Sequence, residues 1–139
     1  MRRRWSGIGA VVLTVPWVCM ILAPMPGASV LHPWPFQELP GYLAASPTEF
    51  VVQVGGNLAA FAGLGALAPV RWPLRWWQVA ALAAVCSVTV EGLQYLLDLG
   101  RVASVDDVLL NTGGAVLAAL ASHRWWRIRA LESGATLCR

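Results

Sequence analysis

Residues 91–114 read EGLQYLLDLGRVASVDDVLLNTGG, and the fold turns on how this stretch is interpreted. It gathers Glu91, Gln94, Asp98, Arg101, Asp106, Asp107 and Asn111 in a protein that is 58% hydrophobic and only 12% charged. Glu91 and Gln94 interrupt one apolar run of membrane-spanning length, and Asn111 interrupts the next. Steps of three and four put Glu91, Gln94, Asp98 and Arg101 on one stripe, provided the helix runs that far. The same periodicity aligns Asp107, Asn111 and Gly114. Polar groups are costly in hydrocarbon, so the two stripes are expected to face inward and meet across the short turn 100–105.

The other apolar residues also fall in blocks, each near the ~20 residues that a helix needs to cross a bilayer. A mean hydropathy of +0.61 excludes an ordinary water-soluble globule. The pattern predicts an all-α membrane protein with four transmembrane helices, at about residues 5–23, 50–70, 76–97 and 106–122. Together residues 5–122 make one domain, preceded by a cytoplasmic N-terminus (1–4) and followed by a basic cytoplasmic tail (123–139), disordered after Leu131. Residues 24–49 form an outer loop with prolines at 24, 26, 33, 35, 40 and 47, too dense for a regular helix. Trp34, Phe36 and Tyr42 are expected at the membrane surface, and His32, a lone histidine, in solvent.

Orientation follows from charge. There is no lysine, and nine of the ten basic residues lie in segments 1–4, 71–75 and 123–139. Only Arg101 falls in the other two loops. The positive-inside rule then places both termini in the cytoplasm. Trp5, Trp72, Trp76, Trp77, Trp125 and Trp126 cluster at the same ends. The net charge of +3 is thereby an orientation signal, and no nucleic-acid partner is expected. The basic start also suits a signal peptide, but the apolar run is long for one and is read as a retained span. Cys19, Cys86 and Cys138 show no metal-ligand spacing and read as two buried small hydrophobes and a tail thiol.

The polar stretch then sits at the outer face. Glu91 lies about 10 Å below the outer end of its helix, and Asn57 about 11–12 Å down the neighbouring one. Glu91, Asn57 and Asn111 are expected to share a layer open to the outside. A carboxylate at that depth must be protonated, hydrated or paired, and Arg101 is the natural counter-ion for Glu91, Asp106 or Asp107. Gly55, Ala59, Gly63 and Gly114 are read as helix-packing positions, since small residues let membrane helices approach closely. Glu91, Asp106 and Asp107 have the oxygen chemistry for a hard cation, but their spacing matches no metal or phosphate box. No metal and no cofactor are expected.

With its gaps, Asn57-x3-Phe61-x3-Gly65 followed by Glu91-x2-Gln94-x6-Arg101-x5-Asp107-x3-Asn111-x2-Gly114 resembles the VanZ-like family of bacterial membrane proteins. The resemblance covers roughly residues 15–122. Gly63 stands where the family usually has proline, and Ser104 where an acidic residue is frequent. The resemblance implies a multi-pass protein of the bacterial cytoplasmic membrane with a link to the cell envelope. The member that gives the family its name contributes low-level teicoplanin resistance. The pocket is therefore read as Asn57, Glu91, Gln94, Arg101, Asp106, Asp107 and Asn111, recognising a cell-wall precursor or a lipoglycopeptide. In this reading Arg101 meets an anionic group, while Glu91 and Asn111 orient amides or hydroxyls. Two alternatives stand beside it. One is a membrane-embedded enzyme on a lipid-linked substrate with Glu91 and Asp107 as acid and base. The other is a structural accessory subunit, in which the same residues only lock the helices together.

Overall fold

A computed structural model describes residues 2–72 and 74–135 of the chain. Helix α1 (Arg2–Ile21) passes Pro16 without ending. Strand β1 (Val30–His32) and the short helix α2 (Leu39–Ala44) occupy the outer loop. The second apolar block is a composite: α3 (Pro47–Phe50), a π-helical turn Val51–Gly55, α4 (Gly56–Ala60) and α5 (Ala62–Arg71). Helix α6 (Trp76–Leu96), strand β2 (Val102–Ser104) and helix α7 (Val105–Ala135) complete the chain.

Three helical stretches are long and apolar enough to cross a membrane: Pro47–Arg71, Trp76–Leu96 and Val105–His123. The apolar part of the first helix, Trp5–Ile21, is shorter. Only a minor part of each long stretch is buried inside the bundle, and Val51, Leu82, Val85, Val88, Leu117 and Leu120 are exposed on its outside. A water-soluble bundle would bury such side chains against one another. These faces suit lipid.

Two local details depart from the expected element limits. Proline does not prevent helices in the outer loop, because Pro40 and Pro47 both sit in a first turn, where a missing amide costs nothing. Ser46 and Glu49 cap α3 reciprocally. The helix expected to end near residue 122 instead continues to Ala135, so residues 132–135 are helical where a disordered tail was expected. Residues 136–139, with Cys138, lie outside the described residues.

Helix α7 is the hub. It packs against α4, α5 and α6, while α1 packs against α5. The core is small-residue packing around Phe61, Val79 and Val90, with Ala60, Ala83, Ala115 and Ala119 between the helices. Backbones touch where glycine permits. A Cβ on Gly65 would fall 2.0 Å from the Ala115 carbonyl oxygen, and one on Gly114 1.9 Å from that of Leu58. The crossing of the second block and α7 is thus built on Gly65 and Gly114. Gly63 faces α1 instead, at Leu13, and Gly55 meets only its own Val51. The break at Phe61 (φ −108°) falls between Ala59 and Gly63, so the Gly55–Ala59–Gly63 periodicity does not hold one face.

One end of the bundle is laced together by backbone pairing. Strands β1 and β2 are parallel, with Val30, Leu31 and His32 opposite Val102, Ala103 and Ser104. At the other end, Arg71 lies against Gly7 near the start of α1. The two ends differ in charge. Segment 71–75 and the start of α1 carry arginines, whereas Glu38, Glu49, Asp98, Asp106 and Asp107 belong to the laced end, with Arg101 its single arginine.

Candidate functional site

Helix α6 stops because the chain turns left-handed just beyond it, at Asp98 (φ 48°) and Gly100 (φ 68°). The polar stripe on α6 therefore contains Glu91 and Gln94 only. Asp98 and Arg101, expected on the same stripe, have left the helix. Asp98 accepts the Ser29 amide through Oδ1 at 2.8 Å, and the Gly100 amide donates to Ser29 Oγ at 3.0 Å. A side chain at Gly100 would collide with the Met25 carbonyl, 2.0 Å from a Cβ. The outer loop is thereby pinned to the end of α6.

Arg101 does not act as the counter-ion that its isolation suggests. Its Nε donates to the Ala23 carbonyl at 3.0 Å and its Nη2 to that of Met20 at 3.1 Å. Those carbonyls lie at and just beyond the C-terminal end of α1, where a cation is favoured by the helix dipole as well. Among the described residues the one ion pair is His32 with Glu38. The histidine read as solvated is thus engaged, and Glu38 is its partner.

Glu91 is 7% exposed, and its Oε2 accepts the Ser104 amide at 3.1 Å. Ser104 in turn caps α7: its Oγ accepts the amides of Asp106 at 3.0 Å and Asp107 at 3.4 Å. Gln94, 3% exposed, donates through Nε2 to the Ile21 carbonyl at 2.9 Å. Asp106, itself buried, turns toward the outer loop and holds it, accepting the amides of Phe36 and Glu38. Asp107 turns inward. Its Oδ1 accepts both the Tyr42 hydroxyl, at 2.8 Å, and the Asn57 amide nitrogen. Burial, then the neighbouring carboxylates of Asp107, Glu38 and Asp106, push the Tyr42 phenol well above its ordinary range, so it remains a donor.

These groups border a cavity of about 500 Å³ at the laced end of the bundle. Of the residues expected in a pocket, Asn57, Glu91, Gln94, Arg101 and Asp107 line it. Asp106 and Asn111 do not. Asn111 is fully buried, and its Nδ2 donates to Ser87 Oγ at 2.9 Å, one helical turn deeper than Glu91. It does not share the layer of Glu91 and Asn57, because α7 starts at Val105 already inside the bundle. Asp107 reaches the Asn57 level first.

The reading from sequence missed Glu38, Tyr42 and Gln53, all on the cavity wall. Tyr42 was legible only as an interfacial aromatic, and nothing local marks Glu38. Gln53 stands one turn from Asn57 in an uncharged block, which was a usable signal. The apolar wall comes from Trp17, Met20, Ile21 and Val52. Among the described residues no three His, Cys, Asp or Glu side chains are grouped to hold a metal ion.

The VanZ/LLP1 family model matches residues 10–127, and the chain belongs to that family. No curated protein and no solved structure is significantly similar to it. Membership of this family and the three long apolar helices together make it a membrane protein of the VanZ type.

Proposed function

We propose that the protein crosses the bacterial cytoplasmic membrane four times, with both termini inside, and binds a polar group of an envelope molecule in an outward-facing pocket. Support for the orientation is the separation of charge between the ends, with Arg101 alone at the laced end. The first crossing would use the apolar Trp5–Ile21 stretch. The observation that carries the binding reading is the cavity of about 500 Å³ whose polar wall includes the buried Glu91 and Gln94. A bundle that used these residues only for packing would fill that space.

The ligand-facing groups are then the carboxylates and amides: Glu38, Glu91, Asp107, Asn57 and Gln94. Arg101, engaged by two carbonyls, shapes the wall rather than meeting an anion. The envelope role that the family resemblance implies is susceptibility to teicoplanin-type lipoglycopeptides. A strain lacking the gene is expected to change its susceptibility to teicoplanin more than to vancomycin. The wild-type gene should restore it, and Glu91→Gln at equal membrane level should not. Unchanged susceptibility to both drugs would remove the resistance role. A second reading, acid–base chemistry on a lipid-linked substrate, is favoured by one observation: Glu91 and Asp107 border the same cavity.

A further inference from the structure

We propose that the cavity takes an amphiphile from the outer leaflet, seating a primary-ammonium head among Glu91, Asp107 and Glu38 while its hydrocarbon chain leaves sideways past Trp17, Met20 and Val52. This rests on the reading of the cavity as an outward-facing binding site. Two separate observations lead to it, one on the polar wall and one on the apolar wall.

The polar wall is short of donors. Glu91 and Gln94 are more than nine-tenths buried, and each has one polar atom bonded to the main chain, to Ser104 and Ile21 respectively. Among the described residues, Oε1 of Glu91, Oε1 of Gln94 and Oδ2 of Asp107 receive no protein donor. The polar side-chain atoms that are sealed in and unpartnered are others: Thr14 Oγ1, Asn111 Oδ1 and Thr112 Oγ1. The three cavity oxygens therefore meet open space, and all three are acceptors. An ammonium offers three donors and no acceptor. Charge agrees: three carboxylates, one of them shared with His32, face one guanidinium already bound to carbonyls. Bonds between a cation and carboxylates are also the strong ones in a site shielded from water.

The apolar wall faces sideways. Helix α1 packs chiefly on α5, the inner part of the second block, and far less on its outer part. Met20 on α1 and Val52 in the second block line the cavity and are both exposed, while Trp17 and Ile21 line it half-buried. The exposed Met20 and Val52 thus give the cavity an apolar lip on apolar helices, the surface that suits lipid. A small water-soluble cation has no use for such a flank, whereas a hydrocarbon chain does. The π turn that places Val52 here is the kind of local helix defect that often borders a site.

The test uses the full-length protein in lipid nanodiscs and decylamine carrying a photoreactive diazirine in mid-chain. Crosslinks are expected on residues 17–20 and on Val52. Excess decylamine should displace the probe, and decyl phosphate should not. Glu91→Gln keeps an acceptor for the Ser104 amide, and Val52→Trp narrows the opening from an exposed position. Each is expected to weaken labelling about tenfold, equivalent to about 1.4 kcal/mol. Equal competition by decyl phosphate, or labelling unaffected by both substitutions, would reduce the contact to ordinary lipid and overturn the proposal. Displacement by ethylamine as effective as by decylamine would overturn the sideways chain while leaving the pocket in place. Specific labelling in a protein whose deletion leaves drug susceptibility unchanged would support the amphiphile site and remove only the resistance role.

Discussion

The carboxylate of Glu91, buried in α6, accepts the main-chain amide of Ser104 at 3.1 Å, across thirteen residues of chain. Ser104 is also the residue whose hydroxyl caps α7. One side chain in the third apolar helix thus fixes where the fourth begins. The acid that looks like the most expensive residue in the sequence has a structural duty as well as a place on the cavity wall.

Glu91→Ala should therefore destabilise the protein by about 1–3 kcal/mol, the cost of leaving a buried amide without an acceptor. Glu91→Gln should stay near wild type in stability, since a carboxamide oxygen accepts the same bond. Thermal unfolding of both variants in detergent checks this. Equal losses in the two would mean that the charge, and not the acceptor, holds the turn.

Arg101 and Glu91 line the same cavity but form no hydrogen-bonded ion pair, so they should couple only weakly, through their charges. Neither bonds to the other, and Arg101 is anchored on Ala23 and Met20. Arg101→Met should destabilise the end of α1, and the double variant with Glu91→Gln should show the sum of the single effects within about 0.5 kcal/mol. Rescue of one substitution by the other, as a buried ion pair would give, is the contrary result.

The apolar helices were legible because lipid imposes length and composition on a span, and both are written in the chain. Asn57, Glu91, Gln94 and Asp107 were legible for the converse reason, as polar residues in apolar blocks. What remained hidden has no local signature. The β1–β2 ribbon is only three residues a strand and joins positions about seventy apart. Arg101 finds main-chain carbonyls, which every sequence has. The break at Phe61 has no mark in the residue pattern, and it separates Gly55 and Ala59 from Gly65, the glycine that meets α7. Asn111 was placed one turn too shallow because the start of α7 depends on Ser104, a capping residue that resembles any other serine.

Glycine substitutions should separate contact from periodicity. Gly65→Ala or Gly114→Ala would drive a methyl into a carbonyl of the facing helix, at 2.0 and 1.9 Å. Helices would have to part, at a cost of about 1–3 kcal/mol or more. Gly55→Ala, with only Val51 of its own helix nearby, should be tolerated. The amounts of folded protein recovered from membranes, and their unfolding temperatures, give the comparison. Damage from Gly55→Ala equal to that from Gly65→Ala would contradict the crossing described.

The proposed orientation is open to direct labelling. In a background without native cysteines, Gly41→Cys and Leu97→Cys lie on exposed positions of the laced end, and Trp72→Cys on the opposite one. An impermeant thiol reagent should label the first two in intact cells and the third only after permeabilisation. Labelling of Trp72→Cys in intact cells would invert the orientation and close the cavity to the outside.

Tyr42 supplies a pH dependence with a defined sign. Its phenol is half-buried, donates to Asp107 and stands near Glu38 and Asp106. Burial, then these negative charges, raise its pKa above the ordinary value of 10.0. A group that binds its proton more tightly when folded favours the folded state fully below its unfolded pKa. That contribution is lost as pH rises through the folded value. Alkali should thus leave Tyr42 protonated until the outer loop comes away from α7. In a Tyr95→Phe background, leaving Tyr42 as the remaining tyrosine, tyrosinate absorption should appear only together with alkaline unfolding. Tyr42→Phe should shift that unfolding to change less with pH above about 10, because the ionisable proton is gone. A smooth titration of Tyr42 near pH 10 in the folded protein would mean that its hydroxyl is not held on Asp107 and that the loop does not close this side of the cavity.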